Sequence, residues 1–235
     1  MIVIIAPKIL HSKIAPYFHE QTFFTEMPEI EAVLCPLRSH TDMGIHMTPK
    51  GIVIEPSIFN AMRDQLIDIG FSESQIYKGE TELELKYPFD IAYNCMAIGN
   101  HFFYHVKADP GIISIYDAIG YEMNSVKQGY TKCATLVVGE NAVITEDHNL
   151  YSKFKAVHIE TLLISKGEIL LDGFEYGFIG GTGGLYKNKL FLNGSLSHHS
   201  CKTEILNFIK AQGTEIIELH QGQLKDCGSI FIFDF

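Results

Sequence analysis

EAVLCPLRSHTDMGIHMTPKGIVIEPSIFNAMRDQLIDIGFSESQIYKG, residues 31–79, reads as one complete folding unit. EAVLCPL (31–37) is an apolar run of strand length, RSHTDMGIHMTPK (38–50) a polar connection, and GIVIEP (51–56) a second strand rich in β-branched residues. SIFNAMRDQLIDIG (57–70) changes to helical spacing of its apolar residues and stops at Gly70, and SQIYKG (74–79) is a short closing strand.

The same order recurs along the chain. Residues 90–130 give the strand DIAYNCMAIG, a turn at Gly99-Asn100, the strand HFFYHVKAD and a helix expected within IYDAIGYEMNSVKQGY (115–130), which Gly120 interrupts. Residues 131–173 give KCATLVVG, AVITED, the helix HNLYSKFKAV and the strand TLLIS. Residues 174–222 give FEYGFIGG, LYKNKLFLNG, the helix CKTEILNFIKAQG and the strand TEIIELHQG. Apart from residues 80–89, what is left is split between the ends: an opening strand in LKDCGSIFIFDF (224–235), and a strand with a short helix in MIVIIAPKILHSKIAPYFHEQ (1–21). Joined, residues 223–235 and 1–30 make 43 residues, against 41, 43, 49 and 49 in the other units. The expected fold is therefore an α/β, five-unit ββαβ propeller with pseudo-fivefold symmetry, closed across the termini so that no array edge stays unpaired. An irregular α/β sandwich would carry a similar alternation.

Composition narrows the function classes. The 235 residues are 46% hydrophobic and 20% charged, enough for a sizeable core in one domain spanning 1–235. A net charge of −10 without a Lys/Arg cluster argues against nucleic acid as a partner. The apolar opening MIVIIAPKIL has no basic leader, is broken by Pro7 and falls far short of the roughly 20 residues of a membrane span. It reads as a buried strand, and no membrane partner is expected. Five cysteines, an odd number without CxxC spacing, point to a reducing cytoplasm. No sequence feature bears on oligomeric state.

Three short motifs fall on successive units. Asp226-Cys227-Gly228-Ser229 opens the closing unit, His40-Thr41-Asp42 lies in the next unit around the ring, and Cys133-Ala134-Thr135 lies two units beyond. In that order they resemble the motifs of agmatine-deiminase-like members of the pentein, or guanidine-modifying enzyme, superfamily. There an acidic residue precedes Gly-Gly-Ser, His-x-Asp follows one unit later, and a nucleophilic Cys-x-Thr two units after that. The match requires this chain to be circularly permuted relative to those enzymes. It covers the whole chain in architecture and only these motifs in identity.

The resemblance implies a five-unit ββαβ propeller around a central site. It also implies a cysteine-dependent hydrolase or amidinotransferase acting on a guanidine- or amidine-type small molecule through a covalent thioether. On this chain Cys133 would be the nucleophile and His40 the general acid and base. Asp42 would bind the guanidine and orient His40, and Asp226 would bind it from the neighbouring unit. No cofactor and no metal are implied. One feature departs from the pattern: the unit before Asp226 reads Gly180-Gly181-Thr182-Gly183-Gly184 where those enzymes place another carboxylate, leaving the Thr182 hydroxyl as a candidate substrate contact.

The residues also admit plainer readings. Cys133 opens an apolar strand, where small buried thiols are common. The two-residue spacing of His40 and Asp42 puts both on one face of a strand, yet HTDMGIH reads equally as a capped polar loop, or as a metal-chelating set of His40, Asp42 and His46. GGTGG precedes a strand-like segment rather than a helix, so it is a tight turn and no phosphate loop. Ser200 reads as a helix N-cap, and the adjacent His198 and His199 would point apart. Set beside the enzyme is a propeller that binds a small ligand or a protein without catalysis, as some members of the superfamily do.

Overall fold

Four two-residue turns, at Pro49-Lys50, Gly99-Asn100, Glu140-Asn141 and Lys187-Asn188, fold pairs of short apolar strands into hairpins. The computed structural model describes residues 1–19 and 21–234. The hairpin strands are β3 (Ile45–Thr48) with β4 (Gly51–Ile54), β6 (Met96–Ile98) with β7 (His101–Tyr104), β9 (Thr135–Gly139) with β10 (Ala142–Thr145), and β12 (Gly183–Tyr186) with β13 (Lys189–Leu192). After each hairpin a helix carries the chain back over the sheet: α3 (Phe59–Asp68), α4 (Pro110–Ala118), α5 (His148–Ala156) and α6 (Lys202–Ala211). Each helix then feeds a third strand parallel to the second: β5 (Ile76–Lys78), β8 (Glu122–Ser125), β11 (Glu160–Leu163) and β14 (Glu215–Glu218).

The fifth sheet has no hairpin, because its members come from opposite ends of the chain. β1 (Ile2–Ile5) pairs antiparallel with β15 (Phe231–Asp234), and after α1 (Lys8–Ile14) it pairs in parallel with β2 (Thr22–Thr25). The structure thus has five small three-stranded sheets, each with a ββαβ order, and the termini share one of them. The middle strand of each sheet is the most deeply buried, with Ile4, Val53, Phe102, Ile144 and Phe191 at its core. Apolar helix positions such as Leu10, Met62, Ile112, Leu150 and Ile205 cover one face.

The first strands of all five units, β3, β6, β9, β12 and β15, line one cavity of about 320 Å³. Among the described residues no helix is long and apolar enough to cross a membrane.

Two expected strands are displaced. EAVLCPL forms a turn, with a 3₁₀ segment at Cys35–Leu37, and the inner strand starts only at Ile45, inside the stretch expected to be a polar connection. Pro36 has no N–H for a sheet ladder, whereas IHMT pairs with GIVI across a tight turn. FEYGF is likewise irregular; GGTGG passes through a 3₁₀ turn (Ile179–Thr182) straight into β12. The second helix lies earlier than expected. Asp109 caps it by accepting the Ile112 N–H (3.2 Å), Pro110 takes its first position, and residues 122–125 are strand. The last helix is capped at Cys201, while Ser200 bonds Glu168.

Because β1 holds β15 and β2 at once, cutting its core should be felt throughout. Ile4→Ala is expected to lower unfolding free energy by roughly 2–5 kcal/mol, seen as a fall in the urea midpoint with an unchanged denaturant slope.

Candidate active site

The residues just ahead of the inner strands converge. Asn94, Cys133, Gly181 and Ser229 stand two residues before the strands that begin at Met96, Thr135, Gly183 and Phe231, and Asp42 and Lys132 stand three before Ile45 and Thr135. Asn94, fully buried, is the hub. Its Nδ2 donates to the Asp42 carbonyl (3.1 Å) and to Cys133 Sγ (2.9 Å), and its Oδ1 accepts from the amides of Lys132 (2.8 Å) and Cys133 (3.0 Å). All the amide's hydrogen-bonding capacity is directed at the lead-ins of two other units.

A chain of charge-assisted bonds runs beside it. Lys132 Nζ donates to Ser229 Oγ (3.0 Å), and Ser229 Oγ donates to Asp42 Oδ2 (2.6 Å). Ser229 has a φ of +69°, a conformation rare for a residue with a side chain, and its amide bonds the Gly181 carbonyl (3.0 Å). The Cys133 carbonyl accepts from the Gly181 N–H (3.1 Å), so the glycine run ties the Cys133 and Ser229 segments together.

A second cavity, of about 250 Å³, opens on the Cys133 side of this network. His40, Cys133 and Asp226 line it, and Tyr130, Tyr176 and Phe178 supply aromatic walls. The buried Asp226 carboxylate accepts from the amides of Phe178 and Gly228 (both 3.0 Å), and its Oδ1 lies 3.8 Å from His40 Nδ1. Burial pushes Asp226 up from the ordinary carboxylate range, and the neighbouring His40 imidazole opposes that shift. Burial, followed by the fields of Asp42 and Asp226, holds the Cys133 thiol well above its ordinary value. Lys132 is lowered by burial, against the pull of Asp42. At rest the thiol is therefore protonated.

Three of the residues singled out in the sequence, His40, Cys133 and Asp226, thus share one cavity. Asp42 touches the network from behind: it is buried, bonded to Ser229, with its Oδ1 unpartnered. The expectation that His40 and Asp42 share a strand face fails, because residues 41–44 make a helical turn and His40 precedes it in extended conformation. Asp226, not Asp42, faces the His40 ring. His46 lines the opposite, 320 Å³ cavity and bonds the Tyr116 hydroxyl (3.1 Å), so His40, Asp42 and His46 do not form a chelating set. Among the described residues no group of His, Cys, Asp or Glu is placed to hold a metal ion. Thr182 lies off the cavity, fully buried, with its hydroxyl donated to the Ile179 carbonyl (2.6 Å). The missing acid in GGTGG has a steric cause, since a side chain at Gly181 would overlap the Asp226 carboxylate.

Residues 12–231 match the model of a family of unknown function, DUF6873. The chain belongs to this family. No curated protein matches it in sequence. In structure the DUF6873 chain is similar to dimethylarginine dimethylaminohydrolase (DDAH) from Pseudomonas aeruginosa complexed with citrulline, with TM-score 0.57, 12% identity, and 92% of this chain and 91% of that one covered. It is also similar to agmatine deiminase from C. jejuni (TM-score 0.55, 13% identity, 96% and 79% covered). A third likeness is to inosamine-phosphate amidinotransferase from Streptomyces griseus (TM-score 0.54, 13% identity, 93% and 78% covered). The chain has the pentein fold that these enzymes share.

Asn94 and Lys132 were not anticipated from the DUF6873 sequence, and Ser229 stood in the quoted motif without a role of its own. Their signal is positional: each stands just before an inner strand, and it shows only once those strands are correctly bounded. Removing the Asn94 amide leaves the buried Cys133 N–H unpaired and the Lys132 N–H with only its longer bond to the Asn94 backbone carbonyl (3.4 Å). Asn94→Ala is expected to cost roughly 1–3 kcal/mol on that count, measured by chemical denaturation.

Proposed function

We propose that the cavity between Tyr130 and Phe178 binds a small molecule bearing a guanidinium or amidinium group, and that Cys133 attacks its central carbon. The observation that carries this reading is the meeting of Cys133, His40 and Asp226 on one aromatic-walled cavity. The charge balance favours a cation: the Asp42 and Asp226 carboxylates lie near a single ammonium, that of Lys132. Aromatic faces add cation–π attraction. By their names, the enzymes that share the fold act on dimethylarginine and agmatine or transfer an amidino group.

A guanidinium carbon is deactivated by resonance, so the reaction needs a thiolate. The bound cation supplies the means to make one. It opposes the carboxylate fields that, after burial, hold the thiol protonated, and so lowers the thiol pKa where it is needed. The thiol proton passes to His40 as the S–C bond forms. His40 then protonates the departing amine as the C–N bond breaks, leaving an amidino thioether on Cys133. Water adds to that carbon and gives its proton to His40; the C–S bond breaks, and the thiolate recovers the proton. An amine in place of water makes the same sequence a transfer. Asp226 positions the His40 ring through Nδ1, leaving Nε2 toward the reaction.

The test is alkylation by the cationic 2-chloroacetamidine against its neutral counterpart chloroacetamide, with labelled cysteines read by mass spectrometry. Cys133 is expected to react with the amidine at least tenfold faster, and Asp226→Asn to erase the preference. Equal rates for the two reagents, or labelling confined to the exposed Cys35, would refute the reading.

A further inference from the structure

Glu55 and Glu146 occupy the same place in their units, directly after β4 and β10. Each reaches into the loop that leads to the next unit: Glu55 Oε1 accepts from the Leu83 N–H (3.3 Å), and Glu146 Oε2 from the Ile179 N–H (3.1 Å). There the likeness ends. Glu55 Oε2 accepts from the amides of Ser57 (2.7 Å) and Ile58 (3.3 Å) and from the Ser57 hydroxyl, so both its oxygens are engaged. In the third unit Asp147 has taken over the turn, accepting from the Leu150 amide (2.8 Å) and Gln128 Nε2 (2.9 Å). Among the described residues Glu146 Oε1 has no hydrogen-bond partner, although the residue is only 7% exposed.

Glu146 lines a cavity of about 590 Å³, with Gln128 and Ser165 also in its wall and Tyr176 and Phe178 shared with the Cys133 cavity. The backbone at Phe178 is the partition. Its own N–H goes to Asp226 and the next one, of Ile179, to Glu146, as successive amides of an extended segment face opposite sides. Asp226 and Glu146 therefore bracket one peptide from two cavities. Lys166, which is exposed, also lines this cavity, and it is not a partner of Glu146 Oε1.

We infer that this neighbouring cavity is a second ligand site, which takes a primary ammonium group onto Glu146 Oε1. The inference does not depend on whether Cys133 reacts. A planar guanidinium fork asks for two carboxylate oxygens side by side, and Oε2 is already held by Ile179; one free oxygen suits a compact ammonium. Tyr176 and Phe178 give the cation an aromatic flank. An unpaired buried carboxylate is otherwise costly, and burial already pushes Glu146 up to about 7, so a bound cation would restore its charge.

Butylammonium chloride titrated into the full chain, followed by calorimetry and by the Glu146 carboxyl ¹³C resonance, tests the site. Saturable binding is expected, with the Glu146 titration midpoint falling from near 7. Glu146→Gln, which is isosteric and keeps an oxygen for Ile179, should weaken binding at least tenfold, and Asp226→Asn should change it less than twofold. Methylguanidinium, as the probe of the Cys133 cavity, should show the converse dependence. If it fails to bind while the butylammonium pattern holds, the reading of the first cavity falls and this one stands. Absence of saturable butylammonium binding, undiminished binding to Glu146→Gln, or loss in Asp226→Asn would overturn the second site.

Discussion

The antiparallel pairing of β1 with β15 is the contact on which the rest depends. It builds the fifth sheet from the two ends of the chain and sets residues 226–229 beside residues 40–42. The Asp42 N–H bonds the Gly228 carbonyl (3.1 Å), Ser229 bonds the Asp42 carboxylate, and Asp226 faces His40. Each of these joins positions more than 180 residues apart in sequence. The entropy of closing so long a loop grows only with the logarithm of its length, so burial of Ile2 to Ile5 and a full strand register can offset it. The candidate site is a by-product of that pairing, since two of its acidic groups come from segments that have no other reason to meet.

Once assembled, the centre must tolerate charge in an enclosed space. Two carboxylates, an ammonium and a thiol lie together, and the network distributes them: Ser229 stands between Lys132 and Asp42, and Asn94 engages the thiol and the two backbone segments around it. Buried charges of this kind persist only when paired and hydrogen-bonded. Among the described residues Asp42 Oδ1 is the unpartnered atom of the set, while the Ser229 bond to Oδ2 holds the carboxylate. The thiol is consequently a poor nucleophile by itself. On the reading proposed above, reactivity would be conditional on a bound cation, which would spare the thiol from adventitious alkylation.

The repeat of strand, helix and strand was legible because helices α3, α5 and α6 and the third strands β5, β11 and β14 carry clean periodicities and glycine stops. The innermost strands were harder. EAVLCPL and FEYGF are apolar enough to pass for strands, yet Leu37, Phe174, Tyr176 and Phe178 are apolar because they wall a cavity. Burial against a pocket and burial in a sheet leave the same mark on composition. The true inner strands, IHMT and GGLY, hide behind a polar lead-in and a glycine run. For that reason His40 and Asp42 were placed on one strand face when a helical turn separates them, and Asn94, which needs the correct strand boundary to stand out, went unnoticed. Cys133, His40 and Asp226, which share a cavity, were singled out through motif order around the ring, a signal that survives small errors in strand limits.

Pseudo-symmetry gives the remaining step. The same backbone position just before an inner strand holds Asn94 in one unit, Cys133 in the next, Gly181 in another and Ser229 in the last. The backbone cost of presenting a side chain at the axis is met once by the fold and reused, so chemistry can differ from unit to unit without new architecture. The position after the second strand behaves alike: Glu55 is fully bonded and structural, whereas Glu146 keeps a free oxygen because Asp147 relieved it of the capping role. A ring of equivalent positions thus turns a structural residue into a candidate binding residue by a change next door.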